Sequence, residues 1–140
     1  MRTVLVVGVF DLFHAGHVNL LRRARDCGDK LVVLLNSDID TEGYKRRPII
    51  HEKDRLAVVE SCKYVDHAEV ADTLDVKKYV IKYEINVIVH GDDWEVQSYM
   101  KQVGLDESFL ACRHVEFVFL PYSQGISTSE IIRKCMKVSI

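Results

Sequence analysis

No apolar run in this chain approaches the roughly 20 residues that cross a bilayer. The first stretch, Thr3 to Phe10, lacks the long apolar region and small-residue cleavage site of a signal peptide, so the expected location is cytoplasmic, without membrane insertion. No C-x-x-C pair occurs either. Cys27, Cys62, Cys112 and Cys135 are widely spaced, which argues against structural zinc or a disulfide frame and predicts small, half-buried side chains. Charge of one sign is lacking too: lysine and arginine number 19, aspartate and glutamate 21, for a formal net charge of −2. That balance excludes a strongly basic nucleic-acid binder, and no nucleic-acid partner is expected. There is no internal repeat, low-complexity tract or linker. With 140 residues, 48% apolar and 29% charged, the chain has the composition of one globular domain spanning 1–140.

What is present is an alternation of apolar blocks and helical periods. Val4 to Val9 and Lys30 to Leu35 are continuous apolar runs, the pattern of strands buried on both faces of a parallel sheet. Tyr64 to Val70, Asn86 to Val89 and Val115 to Leu120 add three more strands. Between them, Val18 to Cys27, His51 to Ser61 and Asp75 to Tyr83 repeat apolar residues at helical spacing. Gly28 suits a helix stop, and Ser129 to Met136 reads as a last helix with Ser127 or Thr128 as N-cap. Asn36 to Pro48 reads as a loop, and Gln97 to Ala111 as helix plus loop. The expected fold is a doubly wound, Rossmann-like α/β domain: a parallel sheet of about five strands with helices on both faces. Ligands in such folds sit at the carboxyl ends of the strands.

Every chemistry-bearing string follows a strand. The first is Gly8-Val9-Phe10-Asp11-Leu12-Phe13-His14-Ala15-Gly16-His17. Two histidines flank a glycine just where a buried strand hands over to a helix, whose free N–H groups and partial positive charge attract phosphate. Imidazoles there can donate to phosphoryl oxygens as charge develops. Gly16 permits close backbone approach, and Gly8 would let a nucleotide lie against the strand end. The second string is His90-Gly91-Asp92-Asp93-Trp94, whose carboxylates suit ribose hydroxyls or an exocyclic amine and whose indole could cover a ligand; alone it reads as an ordinary turn. The third, Gly125-Ile126-Ser127-Thr128-Ser129, opens the last helix and serves equally as anion cradle or plain cap. The fourth is basic: Lys45, Arg46 and Arg47, then Arg55 and Lys63, a pattern that by itself usually marks a solvated face. His51, His67 and His114 are scattered, and Tyr79 with Tyr83 suits helix-face packing.

The first string resembles the HxGH signature of the nucleotidyltransferase superfamily. Its G-x-F-D-x-x-H-x-G-H form is similar to that of the cytidylyltransferases, the glycerol-3-phosphate enzymes being nearest in length. The resemblance continues through Leu20-Leu21 and Ala24, Gly28-Asp29, Tyr64-Val65-Asp66, Gly91-Asp92-Asp93-Trp94 and Gly125-Ile126-Ser127-Thr128. It implies a transfer of CMP from CTP to a small phosphorylated or phosphonate acceptor. His14, His17 and Lys45 are implied as catalytic. Gly8, Val9, Phe10, Asp11, Gly16, Arg46, Gly91, Asp92, Asp93, Trp94, Gly125, Ile126, Ser127 and Thr128 are implied around the nucleotide. Lys63 and Tyr122 fall to the acceptor. Mg²⁺ is expected with CTP, with Asp11 either orienting the motif or holding the ion, and a homodimer is expected.

The family's R-T-x-G-I-S-T segment reads Tyr122-Ser123-Gln124-Gly125-Ile126-Ser127-Thr128 here, so its phosphate-binding arginine is absent. Lys45, Arg46 and Lys63 are the natural replacements. The Pro121-Tyr122 form resembles cytidylyltransferases of phosphonate metabolism, which also show H-G-D-D-W. Glycerol 3-phosphate is the first acceptor implied, a phosphonate such as 2-aminoethylphosphonate the second, choline or ethanolamine phosphate the third. An adenylyltransferase with the same opening string and a non-catalytic nucleotide sensor are the alternatives. A dinucleotide module is excluded, since no G-x-G-x-x-G follows the first strand.

Overall fold

Apolar residues on consecutive positions, rather than alternate ones, force a strand to be covered on both sides. In a computed structural model describing residues 1–91, 96–121 and 125–139, Thr3–Gly8 (β1) divides its side chains this way. Leu5 and Val7 join one core; Val4 and Val6 join another on the opposite face. Lys30–Leu35 (β2) runs parallel to it, from Thr3 opposite Lys30 to Gly8 opposite Leu35. His67–Val70 (β3), Val87–Gly91 (β4) and Glu116–Leu120 (β5) complete a parallel sheet in the order β3-β2-β1-β4-β5.

Helices cover both faces. Ala15–Arg25 (α1), through Leu21 and Ala24, and Glu52–Glu60 (α3), through Val59, pack on the Val4/Val6 side. Lys77–Lys82 (α4), Val96–Gln102 (α5) and Glu107–Cys112 (α6) supply Tyr79, Val80, Tyr99, Met100, Val103 and Leu110 to the Leu5/Val7 side, or border the residues that do. Asp38–Glu42 (α2) and Thr128–Cys135 (α7) complete the described helices.

The strand order reverses between β1 and β4, and there the ladder is short. Only Val4–Val87 and Leu5–Ile88 pair, although both strands run on, to Gly8 and Gly91. The carboxyl ends therefore diverge, leaving a crevice at the switch point.

Four expectations need correction. Residues 36–48 are not all loop: Ser37 accepts from Asp40 N–H (3.1 Å) and caps α2, a five-residue helix too short for a periodic signal. Residues 97–111 hold two helices, separated by Gly104 at φ +73° and started again by Asp106, whose Oδ1 accepts from Phe109 N–H at 2.8 Å. The first helix begins at Ala15 rather than Val18, so His17 stands in its first turn. Of the cysteines, Cys27 and Cys62 are half-buried as expected, while Cys112 and Cys135 are exposed.

Candidate active site

The early start of α1 is made by its histidines. His14 is the N-cap, and its Nδ1 accepts from Gly16 N–H at 3.0 Å. His17 Nδ1 reaches back to accept from His14 N–H at 3.1 Å. This is a capping box in which imidazoles replace the usual hydroxyl and carboxamide. Each Nδ1 is an acceptor, so in the neutral ring the proton must lie on Nε2. Both rings are held neutral. Burial lowers the pKa of His14. For His17, burial first, then His14 and Lys45, outweigh the opposing pull of Asp11 and lower it to about 3. The rings sit 3.8 Å apart between centroids.

His17 lines the crevice, while His14 lies behind it, 9% exposed, with Nε2 3.3 Å from Thr128 Oγ1. Thr128 Oγ1 in turn donates to Asp11 C=O at 3.2 Å, which leaves its lone pairs toward His14 Nε2–H. This chain of contacts joins the start of α7 to the start of α1. Ser127 caps α7, its Oγ accepting from Glu130 N–H at 3.1 Å. Gly16 has a reason beyond ligand approach: a Cβ there would stand 2.7 Å from the His14 ring and drive it from its capping position. At Gly8 a Cβ would meet the Phe10 ring at 2.9 Å. Gly125 sits at φ +79°, in the left-handed region that favours glycine, ahead of Ile126 and the Ser127 cap.

Asp11 is a strut. It is 3% exposed. Its Oδ2 accepts from Ile49 N–H (2.8 Å) and Arg46 Nη1 (2.9 Å), and its Oδ1 from Ile50 N–H (3.0 Å). Burial would raise its pKa, but those hydrogen bonds and the guanidinium charge prevail and hold it below the usual carboxylate range. Phe10 and Leu12 on either side take φ of 56° and 50°, a conformation costing about 1–2 kcal/mol for residues with a Cβ. The three bonds to Asp11 and the burial of the Phe10 ring hold that turn in place. The same bonds bring the 43–50 segment, with Lys45 and Arg46, over the crevice.

Arg55 departs from the sequence reading. It is not on a solvated basic face: its side chain is fully buried. Its Nε donates to Ile50 C=O (2.9 Å), its Nη1 to Val9 C=O (2.6 Å) and Asn36 C=O (3.1 Å), and its Nη2 to Asp38 Oδ1 (2.7 Å). It thus ties the ends of β1 and β2 to the entry of α3. Asp38 is likewise buried, and the Arg55 bond and Glu52 N–H overcome desolvation to keep its pKa low. The available signal was Val59, one turn after Arg55 and apolar, which marks Arg55 as inward-facing.

The crevice encloses about 450 Å³. Gly8, Val9, Phe10, Asp11 and His17 line it from the first string, Lys45 and Arg46 from the 43–50 segment, and Gly91, Ser127 and Thr128 from the other strand ends. Asp92, Asp93, Trp94 and Tyr122 lie outside the described residues. Lys63 is not brought to the crevice; it is exposed, its Nζ 5.2 Å from the centroid of the Tyr64 ring. Sequence reasoning missed Asn36, Thr41 and Tyr44 on one side, and Tyr99, Gln102 and Val103 on another, where His90 of the second string also lines the crevice. Tyr99 on α5 and Val103 just past its end, four apart, carried the one periodic signal available there. Among the described residues, no group of three acidic, histidine or cysteine side chains is placed to hold a metal ion.

The cytidylyltransferase-like family model matches residues 5–134. The glycerol-3-phosphate cytidylyltransferase of Bacillus subtilis (strain 168) is 35% identical over 134 residues, covering 94% of this chain and 95% of that protein. The ethanolamine-phosphate cytidylyltransferase of Dictyostelium discoideum is also 35% identical, over 95% of this chain but 36% of that one, so this chain spans about a third of that relative. Among solved structures, the lipopolysaccharide core biosynthesis protein from Thermoplasma volcanium GSS1 is similar with a TM-score of 0.72 and 29% identity, over 89% of this chain and 99% of that one.

Proposed function

The chain belongs to the cytidylyltransferase-like family, and from that premise we propose that it transfers CMP from CTP to a small phosphate monoester, glycerol 3-phosphate first, with release of pyrophosphate. An acceptor phosphate oxygen attacks the α-phosphorus, the bond to the α,β-bridging oxygen breaks, and the electron pair leaves with pyrophosphate. The nucleophile is already an anion, so no side chain need take its proton. The protein's work is to position two anions together and stabilise the charge that builds on the bridging oxygen.

The observation carrying this reading is the neutral His17 imidazole facing the crevice, its Nδ1 committed to the helix cap and its Nε2–H left to donate, with His14 capping the same helix and its Nε2–H directed at Thr128. His17 faces the crevice directly. His14, through Thr128, supports the wall where the phosphates would lie. The start of α7 adds backbone N–H groups, and Lys45 and Arg46 lie over the same wall in place of the arginine that this sequence lacks at Tyr122. The nucleoside falls to the Gly91 end, at the divergence of β1 and β4.

Mg²⁺ belongs to the proposal only as a companion of the triphosphate. Asp11 does not fit as its ligand, because its carboxylate is spent on Arg46, Ile49 and Ile50. No other carboxylate among the described residues lines the crevice. A homodimer and a cytoplasmic location complete the proposal on family resemblance. A phosphonate acceptor is the second reading, favoured by the Pro121-Tyr122 string. The deciding experiment offers CTP and ATP, each against glycerol 3-phosphate, 2-aminoethylphosphonate, ethanolamine phosphate and choline phosphate, with mass detection of the product. A CDP-glycerol product is expected with CTP; turnover with ATP alone, or with neither nucleotide, overturns the reading.

A further inference from the structure

We infer that Asn36, at the end of β2, reads the tail of the acceptor through its Oδ1, taking tails that carry an O–H or N–H donor and refusing a quaternary ammonium. The inference rests on the proposed cytidylyl transfer and deepens it by naming the acceptor class. In the sheet, β1 lies between β2 and β4 and carries the histidine string at its end. A nucleotide with its nucleoside at β4 and its phosphates on that string leaves the β2 end of the crevice for the acceptor, about two strand spacings or roughly 10 Å from β4. Asn36, Thr41, Tyr44 and Pro48 line that end.

Asn36 is held firmly. Its N–H donates to Gly8 C=O at 2.9 Å, and its C=O accepts from Arg55 Nη1 at 3.1 Å. It lines the crevice while only 8% exposed. Its Nδ2 lies 3.1 Å from Tyr44 Oη. An amide can in principle face either way, and here a carbonyl decides. Ser37 C=O can only accept, and it takes the Thr41 hydroxyl proton at 2.7 Å. Thr41 is also a hydrogen-bonding partner of the Tyr44 phenol. With its own proton spent, Thr41 Oγ1 has lone pairs to offer, so the Tyr44 proton goes to Thr41 and the Tyr44 oxygen accepts from Asn36 Nδ2–H. This relay fixes Nδ2 toward Tyr44 and leaves Oδ1 on the other branch of the amide. Oδ1 takes no hydrogen bond from the described residues and, unlike Gln102 Nε2, is not closed off from solvent. It is an open acceptor on the wall of the crevice.

An open acceptor calls for a donor on the ligand. A hydroxyl or a primary ammonium supplies one. A trimethylammonium group supplies none, and it would keep water from Oδ1 without replacing the hydrogen bond that water makes. The polar neighbours at this end are already committed, Asp11 to Arg46, Ile49 and Ile50, and the Thr41 and Tyr44 hydroxyls to the relay. A site built to hydrogen-bond a substrate group discriminates strongly against an analogue that lacks it. Glycerol 3-phosphate and ethanolamine phosphate therefore stand together, and choline phosphate stands apart.

The test compares wild type with Asn36→Leu, which removes the amide, and Asn36→Asp, which keeps an acceptor oxygen in the same shape and adds a negative charge. Glycerol 3-phosphate, ethanolamine phosphate and choline phosphate are the probes, in turnover with CTP and in titration calorimetry. In wild type the first two are expected to exceed choline phosphate by about tenfold or more in kcat/KM. Asn36→Leu should erase that margin through a KM raised about tenfold on those two, with the KM for CTP unchanged. Asn36→Asp should shift the preference toward ethanolamine phosphate over glycerol 3-phosphate, because the ammonium meets a charge. Choline phosphate used as well as the others by wild type overturns the inference. So do equal losses on all three esters in Asn36→Leu, and so does a rise in the KM for CTP, which would place Asn36 at the ribose. If Asn36→Leu does not fold, Asn36→Asp decides alone, and an unchanged ratio of the two esters ends the proposal. If CTP supports no turnover with any acceptor, the cytidylyl-transfer reading fails, and calorimetry still decides this one. A wild-type preference for the two donor-bearing esters that Asn36→Leu removes upholds it, and equal binding of all three ends it.

Discussion

His14 and His17 owe their protonation state to the backbone they cap. With Nδ1 accepting from a main-chain N–H, neither ring can take a second proton without breaking the start of α1. Removing His14 therefore costs an N-cap as well as an imidazole. His14→Ala should lower kcat by about 10²-fold, the usual loss when a supporting residue lets the reacting groups shift by about 1 Å, and lower stability by about 1 kcal/mol, the usual loss for a cap. His14→Asn, which can still cap, should restore the stability but not the turnover. Equal recovery of both would show that the ring matters only as a cap. The same geometry sets a pH dependence. Both histidines have folded pKa values below the ordinary 6.5, that of His17 near 3. In that window the unfolded chain binds protons that the folded chain refuses, so stability is full above pH 6.5 and falls as pH drops. For His17 the slope approaches about 1.4 kcal/mol per pH unit, and His14 adds a loss of the same sign. Asp11 and Asp38 add a loss of the same sign only near pH 4 and below, where unfolded carboxylates begin to protonate. Urea unfolding between pH 6.5 and 4.5 should thus show a shallower decline in His17→Asn than in wild type; parallel lines would remove His17 from the account.

Among elements, the junction of β1, β2 and α3 depends on one guanidinium. Arg55 supplies donors to three carbonyls and to Asp38, all out of water. Arg55→Ala leaves the buried Asp38 carboxylate to Glu52 N–H (3.3 Å) and to more distant groups such as Arg47 (3.9 Å), and should cost about 3–5 kcal/mol. Removing both charges with Arg55→Met and Asp38→Leu should recover only part, because the carbonyls of Val9, Asn36 and Ile50 still lose their donor. Full recovery would mean that the charge pair, not the carbonyl bonds, accounts for the loss. This clamp was the least legible part of the site in the sequence. Arg55 sits among Lys53, Asp54, Arg47 and Arg46, and a charged stretch read locally looks solvated. Its burial follows from a tertiary fact, the convergence of three chain segments on one side chain. α2 was hidden for a different reason: five residues give no helical period, and only the Ser37 cap marks it. The histidine string was legible as a strand-to-helix junction, because that meaning is local, but the histidines' own role as the helix cap, which starts α1 at Ala15 rather than Val18, was not.

At the scale of the molecule, alternating apolar runs were enough to read a parallel sheet, because both faces of each central strand must be covered. They could not give the strand order, and the order makes the site. The reversal between β1 and β4 shortens their ladder to two pairs and opens the crevice that the histidines, the 43–50 segment and α7 surround. Those three walls come from distant parts of the chain. Asp11 joins the second to the first, and Thr128 joins the third. A triphosphate bound among them should link all three in a single cooperative unit. Ligand at 100 times its Kd stabilises a folded chain by about 2.7 kcal/mol, which for a domain of this size raises Tm by about 8 °C. CTP should produce that shift, and it should also slow tryptic cleavage after Lys45 and Arg46, which are exposed without ligand. Asp11→Asn should behave oppositely: cleavage at those two bonds becomes faster without nucleotide, because Arg46 loses its ion pair and the segment loses its anchor. If CTP raises Tm while cleavage at Lys45 and Arg46 is unchanged, nucleotide binding does not engage the 43–50 segment, and the phosphate contacts assigned to Lys45 and Arg46 are wrong.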